Sequence, residues 1–374
     1  MESPDKAQLD AFFRSITQRF PAGGQVSSLI ITHLLPERPA FLDAMARTTT
    51  VAAVLPKPKS ANRQVLADVR RSYAVRPLTR GLFAEPNSAL ELLEEIAPGQ
   101  DIVLLDIGGY YAPSLEVLTA KFSGRILGVV EDTENGHQRY GTLGQLPCPV
   151  FSVARSPLKE CEDHLVGRSV VYSAEALIRA RGSVLTGRDA CVIGYGKVGR
   201  SIAQSLRAHD LHVTVYDNDP VKRIQALVQG FRTTATRTDA IHKADLVFCA
   251  TGNFALRRSD FESLRDGAHI ASVTSSDDEL ELASLERTYR RTAAGDHLTR
   301  YERAGHYFYV LAEGNAVNFV HGATVGVYIH LVQAEILAAT SVLSYGDHHD
   351  PGLHELSTEH RRVIARIWLE HFAR

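Results

Sequence analysis

Short apolar runs alternate with amphipathic stretches along the chain, and the alternation occurs twice. In the first half Ser28–Thr32, Thr50–Leu55, Ile102–Asp106 and Ile126–Val130 have the length and continuous apolar character of buried parallel strands. Helical patterns such as Ala89–Ile96 lie between them. Pro147, Pro149 and Pro157 mark an irregular connector. The second half restarts the same pattern with Ala190–Ile193, His212–Tyr216, Asp245–Ala250 and His269–Val273, and adds a further strand at Tyr307–Leu311. From Gly322 to Leu343 the spacing becomes helical. Ser357–Phe372 reads as a terminal amphipathic helix with Thr358 as its N-cap. No internal repeat is visible. This order predicts an α/β protein of two doubly wound parallel-sheet domains with a C-terminal helical segment. The expected boundaries are 1–167, 168–318 and 319–374.

One loop carries specific chemistry. Gly194-Tyr195-Gly196-Lys197-Val198-Gly199 follows the strand Ala190–Ile193 and opens a helix over Lys197–His209, whose Val198, Ile202 and Leu206 form an apolar face. In this context Gly194 allows the tight turn, Gly196 lets a pyrophosphate approach the backbone, and Gly199 lets the helix lie close to the sheet. The next strand ends in Asp217, 18 residues beyond Gly199. A carboxylate there accepts from both ribose hydroxyls and repels a 2′-phosphate, which predicts NAD rather than NADP. Domain 168–318 is therefore expected to be a Rossmann NAD-binding domain.

Composition narrows the remaining classes. A chain of 374 residues suits two to three domains, and 44% hydrophobic with 22% charged residues is globular. A formal net charge of −2 offers no electrostatic footprint for nucleic acid or an anionic membrane. The most apolar stretch, 323–343, is interrupted by His330, Gln333 and Glu335, so no membrane span is expected. The polar start Met1-Glu2-Ser3-Pro4-Asp5 does not resemble a secretory leader. Cys148, Cys161, Cys191 and Cys249 have no metal-site spacing, and a cytoplasmic location fits this composition. His348-His349-Asp350 reads as a surface loop, not a metal site, and Arg361, Arg362 and Arg366 as a solvated helix face.

Several segments resemble S-adenosylhomocysteine hydrolases. Asp189–Asp219 is similar to that family's cofactor-binding stretch, and Thr251-Gly252-Asn253 follows a strand as it does there. Leu311–Asn318 (LAEGNAVN) resembles the family's LAEG-x-x-VN, and Val130–Gly136 (VEDTENG) its SEETTTG. The resemblance covers most of residues 28–340. It implies that bound NAD oxidises the 3′-carbon of a nucleoside's ribose, that the resulting ketone acidifies the 4′ C–H, and that the 5′ substituent leaves by elimination. It implies that 1–167, completed by 319–343, is the substrate and catalytic domain, that 344–374 makes oligomer contacts, and that the protein is a homodimer or homotetramer. By the same resemblance Lys159 and Asp163 handle the 3′-hydroxyl and 4′ protons, Asp132 binds ribose hydroxyls, and Thr133 touches the cofactor. Asn318 holds the nicotinamide carboxamide, Glu37 reads an adenine amino edge, and His33 stands near the 5′ position. His321 is the candidate for the family's cleft histidine if a gap is opened after Asn318.

The departures have a direction. Ile107 replaces an aspartate that serves the 5′ acid–base step, with Asp106 as neighbouring acid or substitute. Ser276 stands where the family has histidine, Arg168 where it has cysteine, and His164 where it has asparagine. Groups that oxidise the sugar persist while groups around the 5′ end have changed. The expectation is an enzyme that acts on an adenine nucleoside and eliminates water, a nucleoside dehydratase. The alternatives are a divergent S-adenosylhomocysteine hydrolase and a catalytically inert NAD-sensing regulator, against which Lys159 and Asp163 stand.

Overall fold

The computed structural model describes residues 5–274, 279–323, 325–346 and 349–373. They form two compact units. One contains residues 1–161 and 326–374, the other residues 162–325.

The first unit is built on a six-stranded sheet. From edge to edge its strands are Gly352–His354, Pro149–Ser152, Arg125–Glu131, Asp101–Asp106, Ser27–Leu34 and Thr50–Ala61, and every pairing is parallel. Alternation along each strand feeds two cores. Val103 and Leu105 join Phe12, Phe13 and Phe41 on one face, while Ile102 and Leu104 join Phe83, Tyr111 and Leu115 on the other. The strand Thr50–Ala61 runs past the expected Leu55 through Pro56 and Pro58, which it tolerates because it is an edge strand.

The connector expected around Pro147–Pro157 is more regular than its prolines suggest. It contains the strand Pro149–Ser152, and Pro157 opens the helix Pro157–Arg179, where its missing N–H costs nothing. The end of the chain is part of this unit rather than an appendage. Gly352–His354 pairs with Pro149–Ser152, and the helix Thr358–Phe372 buries Val363, Ile364, Trp368 and Phe372. Ser357, not Thr358, caps that helix, its hydroxyl accepting from His360 N–H at 3.2 Å. Arg361 is not on a solvated face. It donates to the fully buried Glu335 at 2.7 Å and to Glu355 at 2.9 Å. The helical run Gly326–Ser344 is long and apolar enough to cross a membrane by length and composition, and 78% of that window is buried in the fold. His348 lies outside the described residues.

The second unit carries an eight-stranded sheet in the order Arg290–Gly295, Leu298–Arg303, His306–Leu311, Ala268–Ser272, Leu246–Cys249, Asp189–Ile193, His212–Tyr216 and Arg232–Thr233. The six strands from His306–Leu311 to Arg232–Thr233 are parallel, a Rossmann arrangement. Arg290–Gly295 and Leu298–Arg303 add an antiparallel hairpin that the apolar pattern did not predict, because its residues are largely polar and only three of the twelve are buried.

Candidate active site

In an open α/β sheet, ligands collect at the carboxyl ends of the strands where the strand order reverses. In the second unit the reversal lies between Asp189–Ile193 and Leu246–Cys249, so Gly194–Gly199 and Thr251–Asn253 share that edge. Gly194 has φ +94°, and a Cβ there would stand 2.5 Å from the Ala250 carbonyl oxygen. A Cβ on Gly199 would collide with the Gly194 carbonyl oxygen, whereas one on Gly196 would meet nothing within 4 Å. The loop is thus closed at both ends and open in the middle, above the helix Lys197–Ala208. Gly196 gives that helix no side-chain cap, so its first-turn amides are available to an anion. Lys197 and Val198 occupy the first turn. Asp217 accepts from Tyr195 N–H at 2.7 Å and from Asp219 N–H at 2.9 Å, which sets its carboxylate beside the glycine loop.

Thr251, Gly252 and Asn253 are held by a residue the sequence did not single out. Glu279 is 1% exposed and accepts from Thr251 N–H at 2.8 Å, Thr251 Oγ1 at 3.0 Å, Gly252 N–H at 2.9 Å and Thr274 Oγ1 at 2.6 Å. Burial pushes its carboxyl up to about 7, against the pull of those donors. Within the run DDELE nothing separates it from a solvated acid. Asn318 is buried, and its Oδ1 has no hydrogen-bond partner. Such an orphaned acceptor needs a ligand donor, and a carboxamide N–H supplies one. The open Gly196 and the orphaned Asn318 oxygen both fit NAD. His321 ends a short 3₁₀ turn and is exposed in this unit. Ser276 lies outside the described residues.

In the first unit the order reverses between Ser27–Leu34 and Asp101–Asp106. His33, Lys57, Asp106–Gly109, Glu131, Asp132 and Lys159 all lie at or just beyond strand ends on this edge or on the helix that follows them. Asp132 and Lys159 are nine-tenths buried, with Lys159 Nζ 3.2 Å from Asp132 Oδ1. The contact is an ion pair, and Asp132 Oδ1 has no hydrogen-bond partner. Lys159 also sits in the first turn of its helix, where the dipole disfavours a cation. Asp163 follows one turn later on the same helix, in the second unit.

Two of the expected site residues are held by hydrogen bonds within the fold. Asp106 accepts from Tyr110 N–H at 3.0 Å, Tyr111 N–H at 3.1 Å and the Tyr140 hydroxyl at 2.6 Å. It anchors the loop, and burial raises its carboxyl. The Thr133 hydroxyl donates to Glu131 at 2.7 Å and caps the helix Glu134–Gly141 by accepting from Gly136 N–H at 3.1 Å, so it is already committed within the fold. Ile107 is 4% exposed and packs in the apolar core. Glu131, which the sequence reading passed over, is fully buried and gathers the Gly108, Gly109 and Thr133 amides, and burial pushes it up to about 8. His33 is held well below its ordinary value by burial and by the charges of Lys57, Arg38 and Lys159, and its Nδ1 shares a hydrogen bond with the Ser60 hydroxyl. Glu37 lies 3.6 Å from the buried Arg38.

Residues 168–325 match the family described as S-adenosyl-L-homocysteine hydrolase, NAD binding domain. The chain is 27% identical over 320 residues to the adenosylhomocysteinase of Archaeoglobus fulgidus, covering 84% of this chain and 78% of that protein. It is 27% identical over 345 residues to the adenosylhomocysteinase of Pyrococcus abyssi, covering 88% and 79% respectively.

Proposed function

We propose that the chain is a diverged relative of the S-adenosyl-L-homocysteine hydrolases it resembles, and that it catalyses a redox-assisted elimination on an adenine nucleoside. The Gly194–Gly199 loop, Asp217 and Asn318 would hold NAD, which would supply reversible hydride removal at the ribose 3′-carbon. The observation that carries the reading is the buried Asp132–Lys159 pair with its unfilled acceptor. A buried carboxylate oxygen that makes an ion pair but no hydrogen bond has room for a donor, and a ribose hydroxyl is such a donor. Lys159, beside it, is the group for the 3′ oxygen and the 4′ proton, with Asp163 a turn along the helix.

The 5′ end decides between two reactions. Ile107 packs in the core and Asp106 is committed to its loop, so the carboxylate that the resemblance gives to the 5′ acid–base step is replaced by an alkyl group. This favours dehydration to a 4′,5′-unsaturated sugar. Hydrolysis of S-adenosylhomocysteine is the second reading, favoured by the names of the relatives above. Assembly as a homodimer or homotetramer belongs to the same proposal. The test is incubation of the NAD-loaded protein with adenosine and, separately, with S-adenosylhomocysteine in deuterium oxide. A product one water lighter than adenosine, with deuterium at C4′ of recovered substrate, supports dehydration. Homocysteine release promotes the second reading, and no deuterium in either substrate refutes both.

A further inference from the structure

Expelling a hydroxyl requires a proton, and the strand-end groups of the first unit can be examined in turn as its source. Asp106 has its oxygens engaged, and Ile107 carries no proton to give. Glu131 is fully buried beneath the loop it organises, with the amides of Gly108, Gly109 and Thr133 on its oxygens. Asp132 faces Lys159. His33 is held neutral and spends Nδ1 on Ser60.

Lys57 is different. It lies on the edge strand Thr50–Ala61, next to the strand that ends in His33, and is 5% exposed. Its Nζ donates to the Ile107 carbonyl oxygen at 3.3 Å and stands 5.7 Å from the centre of the Tyr110 ring. Gly108, at φ +109°, keeps this place clear. A Cβ there would stand 3.7 Å from Lys57 Nζ and 3.3 Å from an Arg80 guanidinium nitrogen. Arg80 stacks on Tyr110 at 3.8 Å and donates to the Gly108 carbonyl at 2.9 Å, so a second cation fixes the same turn. The ammonium thus reaches the reversal point of the sheet, beside the residue that has lost its carboxylate.

We propose that Lys57 is the proton donor to the 5′ leaving oxygen, an assignment that rests on the elimination proposed above. As the C4′–H pair becomes the C4′=C5′ bond, the C5′–O bond breaks and its electrons take one Nζ proton. Water and a neutral amine result, and solvent returns the proton to the amine. The 3′ ketone persists through this step, so no oxidant is consumed in it. A lysine ammonium, with an ordinary pKa of about 10, is a far stronger acid than water at about 15.7, so transfer to a departing hydroxide is downhill.

The test compares leaving groups in the NAD-loaded enzyme. Adenosine must lose hydroxide with a proton, whereas 5′-chloro-5′-deoxyadenosine loses chloride without one. Lys57→Gln removes the donor. Lys57→Arg keeps the charge but holds its proton too tightly to give it. Both variants are expected to lose ~10²-fold or more of the turnover of adenosine while staying within about tenfold of wild type on the chloro compound, the span a general acid contributes. Both should still exchange the C4′ proton for deuterium. Equal losses on the two substrates, no loss on adenosine, or a wild-type enzyme that expels chloride but never water overturns the role of Lys57 and leaves the elimination standing. A wild-type enzyme that exchanges no C4′ proton in either compound overturns both. Thermal unfolding and bound NAD in each variant show whether a loss comes from misfolding, and the parallel chloro assay then decides the assignment in whichever variant folds.

Discussion

Replacing Glu279 by glutamine isolates the electrostatics of the cofactor loop. The carboxyl is 1% exposed, takes four donors from Thr251, Gly252 and Thr274, and is raised by burial from an ordinary 4.5 to about 7. Between those values the folded unit holds a proton that the unfolded chain has released. The stability this contributes is therefore fully present below about pH 4.5 and is lost as the pH rises through about 7. At about 1.4 kcal/mol per pH unit, that interval amounts to about 3 kcal/mol, or roughly 10²-fold in an opening equilibrium. Glutamine does not titrate, so the difference between wild type and Glu279→Gln carries the whole effect while other groups cancel. The assay is amide hydrogen exchange of a peptide spanning 246–253 in both proteins at pH 5 and pH 8. The wild-type advantage in protection should shrink by about two orders of magnitude between the two pH values. If it changes by less than about threefold, Glu279 titrates alike in both states and the burial argument is wrong.

Three further outcomes follow from the same geometry. Asp217→Ala should erode the preference for NAD over NADP in titrations with both, because the carboxylate beside the glycine loop is what repels a 2′-phosphate; unchanged selectivity would refute its role. Gly196→Ala should leave unfolding of the free protein within about 0.5 kcal/mol of wild type yet weaken NAD binding, whereas Gly199→Ala should destabilise by about 1–3 kcal/mol, since only its Cβ meets backbone. Lys159→Ala should abolish turnover with NAD still bound, measured by released cofactor after denaturation, and near-normal turnover would make the Asp132–Lys159 pair structural.

The sequence by itself determined most of the central parallel strands, the glycine loop with its acid, and NAD as the cofactor. Those features are local: strand and helix periods, a turn that needs glycine, and a carboxylate one strand later are all written within short windows. What each charged group touches was decided only by tertiary structure. Lys159 and Asp163 stand at helical spacing, but only the fold brings Lys159 to Asp132, just beyond a strand end and 27 residues earlier. Asp106 read as a free acid until the loop beyond it turned back and two amides and the Tyr140 hydroxyl closed on it. Glu279 sat unremarked in an acidic run and became the anchor of a loop 28 residues upstream. Lys57, between two prolines, carried no signal in the sequence and is buried on the edge strand, with its Nζ at the Ile107 carbonyl. In each case the deciding neighbours come from separate strands, and strand order in a parallel sheet is set by long crossovers and burial on both faces rather than by any local pattern.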